Sequence, residues 1–256
     1  MHSEYFSYDG VRSTEIDVYL VKLDKGLVSD PFLGEREVIQ ESITGNDTPY
    51  FFGTRTSQLR VTLTLECREG YWTREKRREV ARLLDKKKYC EFYTTDDIDT
   101  LYFLQYVGGI DLYTNAIQDG YLTVEFLNIS PYTYSRLYAK NYNFSTNTTP
   151  DVFEFTNLGD NPLYPEIWIE KIGAGDVSII NLSNGGKEFK FTGLADKEQV
   201  YVDNRPHFHY IESSLNNIYR YDNFSGNYLE ILRGVNRLQI TGQCNLLFQY
   251  QFELKG

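Results

Sequence analysis

The stretch Leu59-Arg60-Val61-Thr62-Leu63-Thr64-Leu65-Glu66-Cys67 decides the fold class. Leu59, Val61, Leu63, Leu65 and Cys67 fall on one side of an extended chain, and Arg60, Thr62, Thr64 and Glu66 on the other. A period of two sustained over this length predicts a half-buried strand, because successive side chains of a strand point to opposite faces. The same alternation recurs at Ile16–Leu20 and at Leu122–Phe126. It recurs again near the C-terminus, where Leu246, Phe248, Tyr250, Phe252 and Leu254 make one face.

Between these runs lie residues that tolerate positive φ: Gly108-Gly109, Asp119-Gly120, Asn184-Gly185-Gly186 and Ser225-Gly226. They predict turns at short intervals. Val177–Leu182 followed by Asn184-Gly185 and Glu188–Phe191 predicts a hairpin. One helix is expected over about 73–87. Thr73 can cap it, and Val80, Leu83 and Leu84 form a narrow apolar stripe at i, i+3, i+4. The polar stretch Lys140–Pro150 is rich in Asn and Thr and suits a linker or long connection. These signals predict a mainly β chain. A domain of strands plus one helix occupies 1–138, a strand-only sandwich occupies 139–256, and the linker falls at about 136–150.

Composition agrees and excludes. The 256 residues include 22 Tyr, 16 Phe and a single Met, which favours pleated, half-buried surfaces over helices. No apolar run approaches the roughly 20 residues of a membrane-spanning helix. Cys67, Cys90 and Cys244 are too far apart for a metal knuckle and odd in number, so free thiols are expected. The N-terminus lacks a basic region followed by an apolar stretch, so no secretory signal is expected and synthesis in a cytoplasm is.

The net charge of −10 argues against gripping nucleic acid through a global positive field. Its distribution is uneven. Residues 73–88 carry 8 basic and 3 acidic side chains, a net of +5, while residues 1–72, 89–150 and 151–256 each carry a net of −5. The basic helix has three readings: a solvated face, a contact with an acidic surface of a neighbouring subunit, or a nucleic-acid contact.

The search for chemistry yields little. There is no Gly-x-Ser-x-Gly elbow. Gly173-Ala174-Gly175 and Gly185-Gly186-Lys187 miss the spacing of a phosphate loop and read as hairpin turns. His207 and His209 would share one face of a strand, with Asp203 as a third metal ligand, or they are surface histidines beside Pro206. Asp96, Asp97 and Asp99 lack the glycine and distal Glu of a calcium loop and read as a solvated hairpin tip. No catalytic, metal or cofactor residue is therefore assigned. Tyr50-Phe51-Phe52 and His207-Phe208-His209-Tyr210 are the densest aromatic clusters. They suit either core and interface packing or a sugar-binding platform.

The order of several motifs resembles the distal tail protein family of phages with long, flexible, non-contractile tails. In the first half these are Tyr8-Asp9-Gly10-Val11, Trp72 followed by Lys76–Leu84, Gly120-Tyr121 and Ser130–Ser135. In the second half they are Asn157–Asp160, Pro165-Glu166-Ile167, Glu198–Asp203, Asn223–Gly226 and Gly234–Gly242. The resemblance implies a tail-tube-like ring domain and a peripheral galectin-like sandwich. It implies a hexameric ring at the virion tail tip, joining the tail tube protein to the tail-associated lysin or tail fibre and to receptor-binding proteins. It implies no catalytic residue, no cofactor and no membrane. The alternative function is a carbohydrate-binding module that contacts the host cell wall. A head-to-tail ring needs two unlike patches on each subunit, and Arg74, Arg77, Arg78 and Arg82 are the residues assigned to one of them.

Overall fold

The computed structural model describes residues 3–21, 33–67 and 71–256. It divides into two compact units, Met1–Tyr134 with Lys255–Gly256, and Ser135–Leu254.

In the first unit the order is β1 (Phe6–Tyr8), β2 (Val11–Arg12), β3 (Val18–Leu20), β4 (Arg36–Glu41), β5 (Tyr50–Thr56), β6 (Arg60–Cys67), α1 (Arg74–Leu84), β7 (Cys90–Thr94), β8 (Tyr102–Thr114), β9 (Gly120–Asn128) and β10 (Thr133–Tyr134). Seven strands form one sheet in the order β2-β1-β7-β8-β9-β6-β3, antiparallel throughout. The alternation of β6 is borne out, with Val61, Leu63, Leu65 and Cys67 buried. Together with Val124 and Phe126 of β9 they pack in one cluster with Trp72, Val80, Leu83 and Leu84, so that α1 lies on the sheet by its apolar stripe. Thr73 caps α1, its Oγ1 accepting the Lys76 N–H at 3.2 Å.

Three expectations are corrected here. The helix ends at Leu84 rather than 87, because Asp85 leaves helical geometry and its N–H closes the last turn on Ala81. Ile16-Asp17 is not strand: Ser13–Ile16 is a 3₁₀ turn that Asp17 ends at φ 50°. Gly108-Gly109 is not a turn but lies inside β8. There Gly108, at φ 143°, serves a bulge that shifts the register against β9.

In the second unit the strands are β11 (Tyr138–Phe144), β12 (Asp151–Asn157), β13 (Glu166–Lys171), β14 (Gly175–Asn181), β15 (Glu188–Leu194), β16 (Gln199–Asp203), β17 (Tyr210–Ser213), β18 (Gly234–Thr241), β19 (Cys244–Tyr250) and β20 (Glu253–Leu254). A five-stranded sheet, β11-β19-β13-β16-β17, faces a four-stranded one, β12-β18-β14-β15. Ile167, Ile169, Val200, Val202, Leu246 and Phe248 from the first meet Phe155, Val177, Ile179, Phe191, Leu238 and Ile240 from the second in one core. The β14–β15 hairpin forms as expected, with Gly185 and Gly186 at φ 66° and 68°.

The expected linker is corrected. Tyr138–Phe144 is a strand that pairs with β19 along its whole length. The exposure of most of its residues reflects an edge position, not a lack of structure. The division between units accordingly falls after Tyr134, not after residue 138.

Candidate assembly surfaces

Two features of the first unit present surface that the unit itself does not use. One is the outward face of α1. A helical step of 100° places Arg74, Arg78 and Arg82 on one face at i, i+4, i+8, opposite buried Val80, Leu83 and Leu84. All three are exposed and make no ion pair among the described residues. The rest of the basic block is largely engaged. Lys76 donates to the Ile16 carbonyl and to Glu79, both at 2.8 Å. Lys86 and Lys88 each reach Asp9 at 3.0 Å, and these two ammonium groups hold the Asp9 carboxyl below the usual range. Arg77, assigned with the other three, departs from them: its Nε donates to the Trp72 carbonyl at 2.8 Å and ties down the helix entrance.

The second feature was visible in the sequence only as the aromatic cluster Tyr50-Phe51-Phe52, not as a ribbon. β4 and β5 form a two-stranded ribbon separate from the main sheet. Val38, Ile39, Tyr50, Phe51 and Phe52 are 50, 47, 54, 66 and 68% exposed on it. The cluster Tyr50-Phe51-Phe52 is thus not core. The sequence signal was present in that run, but β4 reads Arg-Glu-Val-Ile-Gln-Glu and shows no period of two. Among the described residues a further edge is open on β8. Strand β7 pairs only with Tyr102–Leu104, whereas β9 continues along β8 to Thr114.

The remaining candidates resolve into structural roles. His207 sits in a turn at φ 71°, ahead of β17, so the expected i, i+2 geometry on a strand does not arise. His209 stacks on Tyr228 with centroids 3.7 Å apart, and Asp203 is engaged by Arg205. Asp96, Asp97 and Asp99 form an exposed tip in which Asp97 accepts the Thr100 N–H. Among the described residues no group of three or more His, Cys, Asp or Glu is placed to hold a metal. The three cysteines are free and buried. Burial pushes the thiols of Cys67 and Cys244 up to about 11 and 12, so neither is poised as a nucleophile.

The residues that carried the resemblance are the pins of both units. Trp72 Nε1 donates to the Gly120 carbonyl at 2.8 Å. Asp9 and Gly10, at φ 52° and 79°, turn the chain between β1 and β2. Buried Asn157 donates to the carbonyls of Asn161 and Ile231 and accepts the Gly159 N–H. Buried Asn236 bonds Leu232, Gly234 and Asn181.

Comparison with known proteins agrees with this geometry. A family profile described as "Phage tail protein N-terminal domain" matches residues 1–130, and one described as "Phage tail C-terminal domain" matches residues 132–250. The SPbeta prophage-derived uncharacterized protein YomH of Bacillus subtilis (strain 168) is 26% identical over 251 residues, 98% of either chain. Among solved structures, the Dit protein (gp 19.1) of phage SPP1 superposes with a TM-score of 0.70 at 14% identity. The match covers 97% of this chain and 98% of that one. That protein is described as a paradigm of hub adsorption apparatus in phages infecting Gram-positive hosts. A chain of the phage P2 baseplate superposes with a TM-score of 0.53 at 11% identity, covering 98% of both. The chain belongs to the phage tail protein family, and its fold is that of the siphophage distal tail proteins.

Proposed function

We propose that the protein is a non-enzymatic structural hub of the tail tip. Copies associate head to tail into a closed ring, a hexamer, that joins the tail tube protein to the tail-associated lysin or fibre and to receptor-binding proteins. The first unit builds the ring and the second, as a galectin-like sandwich, lies on its periphery.

The β4–β5 ribbon carries this reading. A lone two-stranded ribbon is marginal in water, and contiguous exposed Phe, Tyr, Val and Ile mark a surface that is covered in the working state. A head-to-tail contact joins two unlike patches, and the first unit has them. The ribbon is one; the open edge of β8 is the other, and the Arg74–Arg78–Arg82 face adds a charged surface. A ribbon from one copy adding to the β8 edge of the next would satisfy backbone groups on both strands.

Light scattering of the purified chain tests this. A ring gives one defined oligomeric mass, and Phe51→Ser with Phe52→Ser gives a folded monomer with an unchanged far-UV spectrum. A chain that stays monomeric at high concentration and does not join the end of isolated tail tubes would overturn the proposal.

A further inference from the structure

The outer face of the five-stranded sheet carries two neighbouring cross-strand rows of unlike chemistry. Register places Asn141, Leu247, Trp168 and Tyr201 side by side across β11, β19, β13 and β16. Two residues along, Asn143, Asn245, Glu170 and Gln199 form the next row, roughly 7 Å away. Their sequence neighbours Ile167, Ile169, Val200 and Leu246 fill the core, so alternation sends both rows to the opposite face. Asn141, Asn143, Trp168, Glu170, Gln199 and Asn245 line a depression of about 550 Å³ there, a size that accommodates a small ligand.

The depression is organised. The rings of Trp168 and Tyr201 lie 4.8 Å apart at 45° and form a bent aromatic platform. Tyr201 is fixed by donating its hydroxyl to Glu166 at 2.8 Å. The Asn245 Nδ2 donates to Glu170 at 2.9 Å, which orients the amide. The Asn245 Oδ1 is left buried with no hydrogen-bond partner among the described residues.

We propose that this face binds a neutral pyranose oligosaccharide. A pyranose has an apolar C–H face and a rim of hydroxyls, and the two rows match that division. The C–H face packs on Trp168 and Tyr201, rigid groups that lose little conformational freedom on binding. The hydroxyls meet Asn141, Asn143, Gln199 and Glu170. Neither row contains Lys or Arg, and Glu170 repels an anion, so anionic glycans are disfavoured. All of these residues belong to the second unit.

The chain has two tryptophans, and Trp72 is buried in the first unit. The full-length chain carrying Trp72→Phe therefore reports on Trp168 alone. Its emission would be titrated with maltotriose, cellotriose and triacetylchitotriose, alongside a neutral and anionic glycan array read with the unmodified chain. A saturable neutral ligand is expected; calorimetric titration in the unmodified background, which needs no tryptophan probe, should show affinity falling about tenfold or more in Trp168→Ala and severalfold in Asn245→Ala. Asn245→Ala keeps the aromatic platform and tests the site even if Trp168→Ala misfolds. The proposal is overturned by no neutral ligand on the array or in titration, by a preference for anionic glycans, or by unchanged affinity in the folded variants. Because binding is read on one chain, its failure leaves the oligomer mass untouched, and failure of ring assembly leaves the titration untouched.

Discussion

Glu198 and Arg220 show how much of the second unit hangs on single residues. The Glu198 carboxylate is fully buried and receives the Arg220 Nε at 2.7 Å, the Ser213 hydroxyl at 2.7 Å and the Ala195 N–H at 2.8 Å. Burial alone would push its pKa up, but these donors outweigh it and hold the group below the ordinary Glu value. A carboxyl depressed on folding contributes stability that is full above its unfolded pKa and is lost as pH falls through the folded one. Glu198→Gln leaves the Arg220 charge buried without a counter-charge, an expected loss of about 3–5 kcal/mol at neutral pH. Urea denaturation should show the gap between variant and wild type narrowing as pH drops below about 4, near the ordinary Glu value. A gap that stays constant across that range would show that the ionised carboxylate is not the stabilising group.

At the scale of elements, α1 and the β4–β5 ribbon contrast. The helix is anchored from beneath by Val80, Leu83 and Leu84 and at its start by Thr73. Thr73→Ala removes the acceptor for the Lys76 N–H and should cost about 1 kcal/mol. Chemical denaturation would read that loss, with the fold unchanged. Among the described residues the ribbon has no such anchoring, since its apolar side chains are exposed. Its stability in the free chain should therefore be local and low, and its amides should exchange early.

At the scale of the whole molecule, charge placement matters more than net charge. Four basic residues of the +5 block are used internally, through Asp9, Glu79 and the carbonyls of Ile16 and Trp72. The Arg74–Arg78–Arg82 face then stands out against an acidic background. Arg78 lies near the centre of the outward helical face. Reversal of Arg74, Arg78 and Arg82 to Glu should reduce oligomer mass while the monomer stays folded. The unmodified oligomer should weaken as salt is raised, since exposed charge pairs are screened. Assembly that is insensitive to both would assign the contact to the apolar ribbon alone.

Legible in the residues alone were the alternating strands β6 and β9, the capped helix, the β14–β15 hairpin and, through the order of the motifs, the family. These are local or near-local signals: alternation in β6 and β9, a cap at Thr73, and glycines at positive φ. That Tyr138–Phe144 is a sheet edge and not a linker depends on long-range pairing, because this seven-residue run becomes a strand when β19 offers a register. The same holds for the bulge at Gly108 and for the bond of Arg77 to the Trp72 carbonyl. Above all, the tertiary structure decided which aromatics are exposed. Tyr50-Phe51-Phe52 and the Trp168 face read alike in sequence to any buried strand. Whether a side chain meets a core, a solvent or a partner depends on strands far away in the chain.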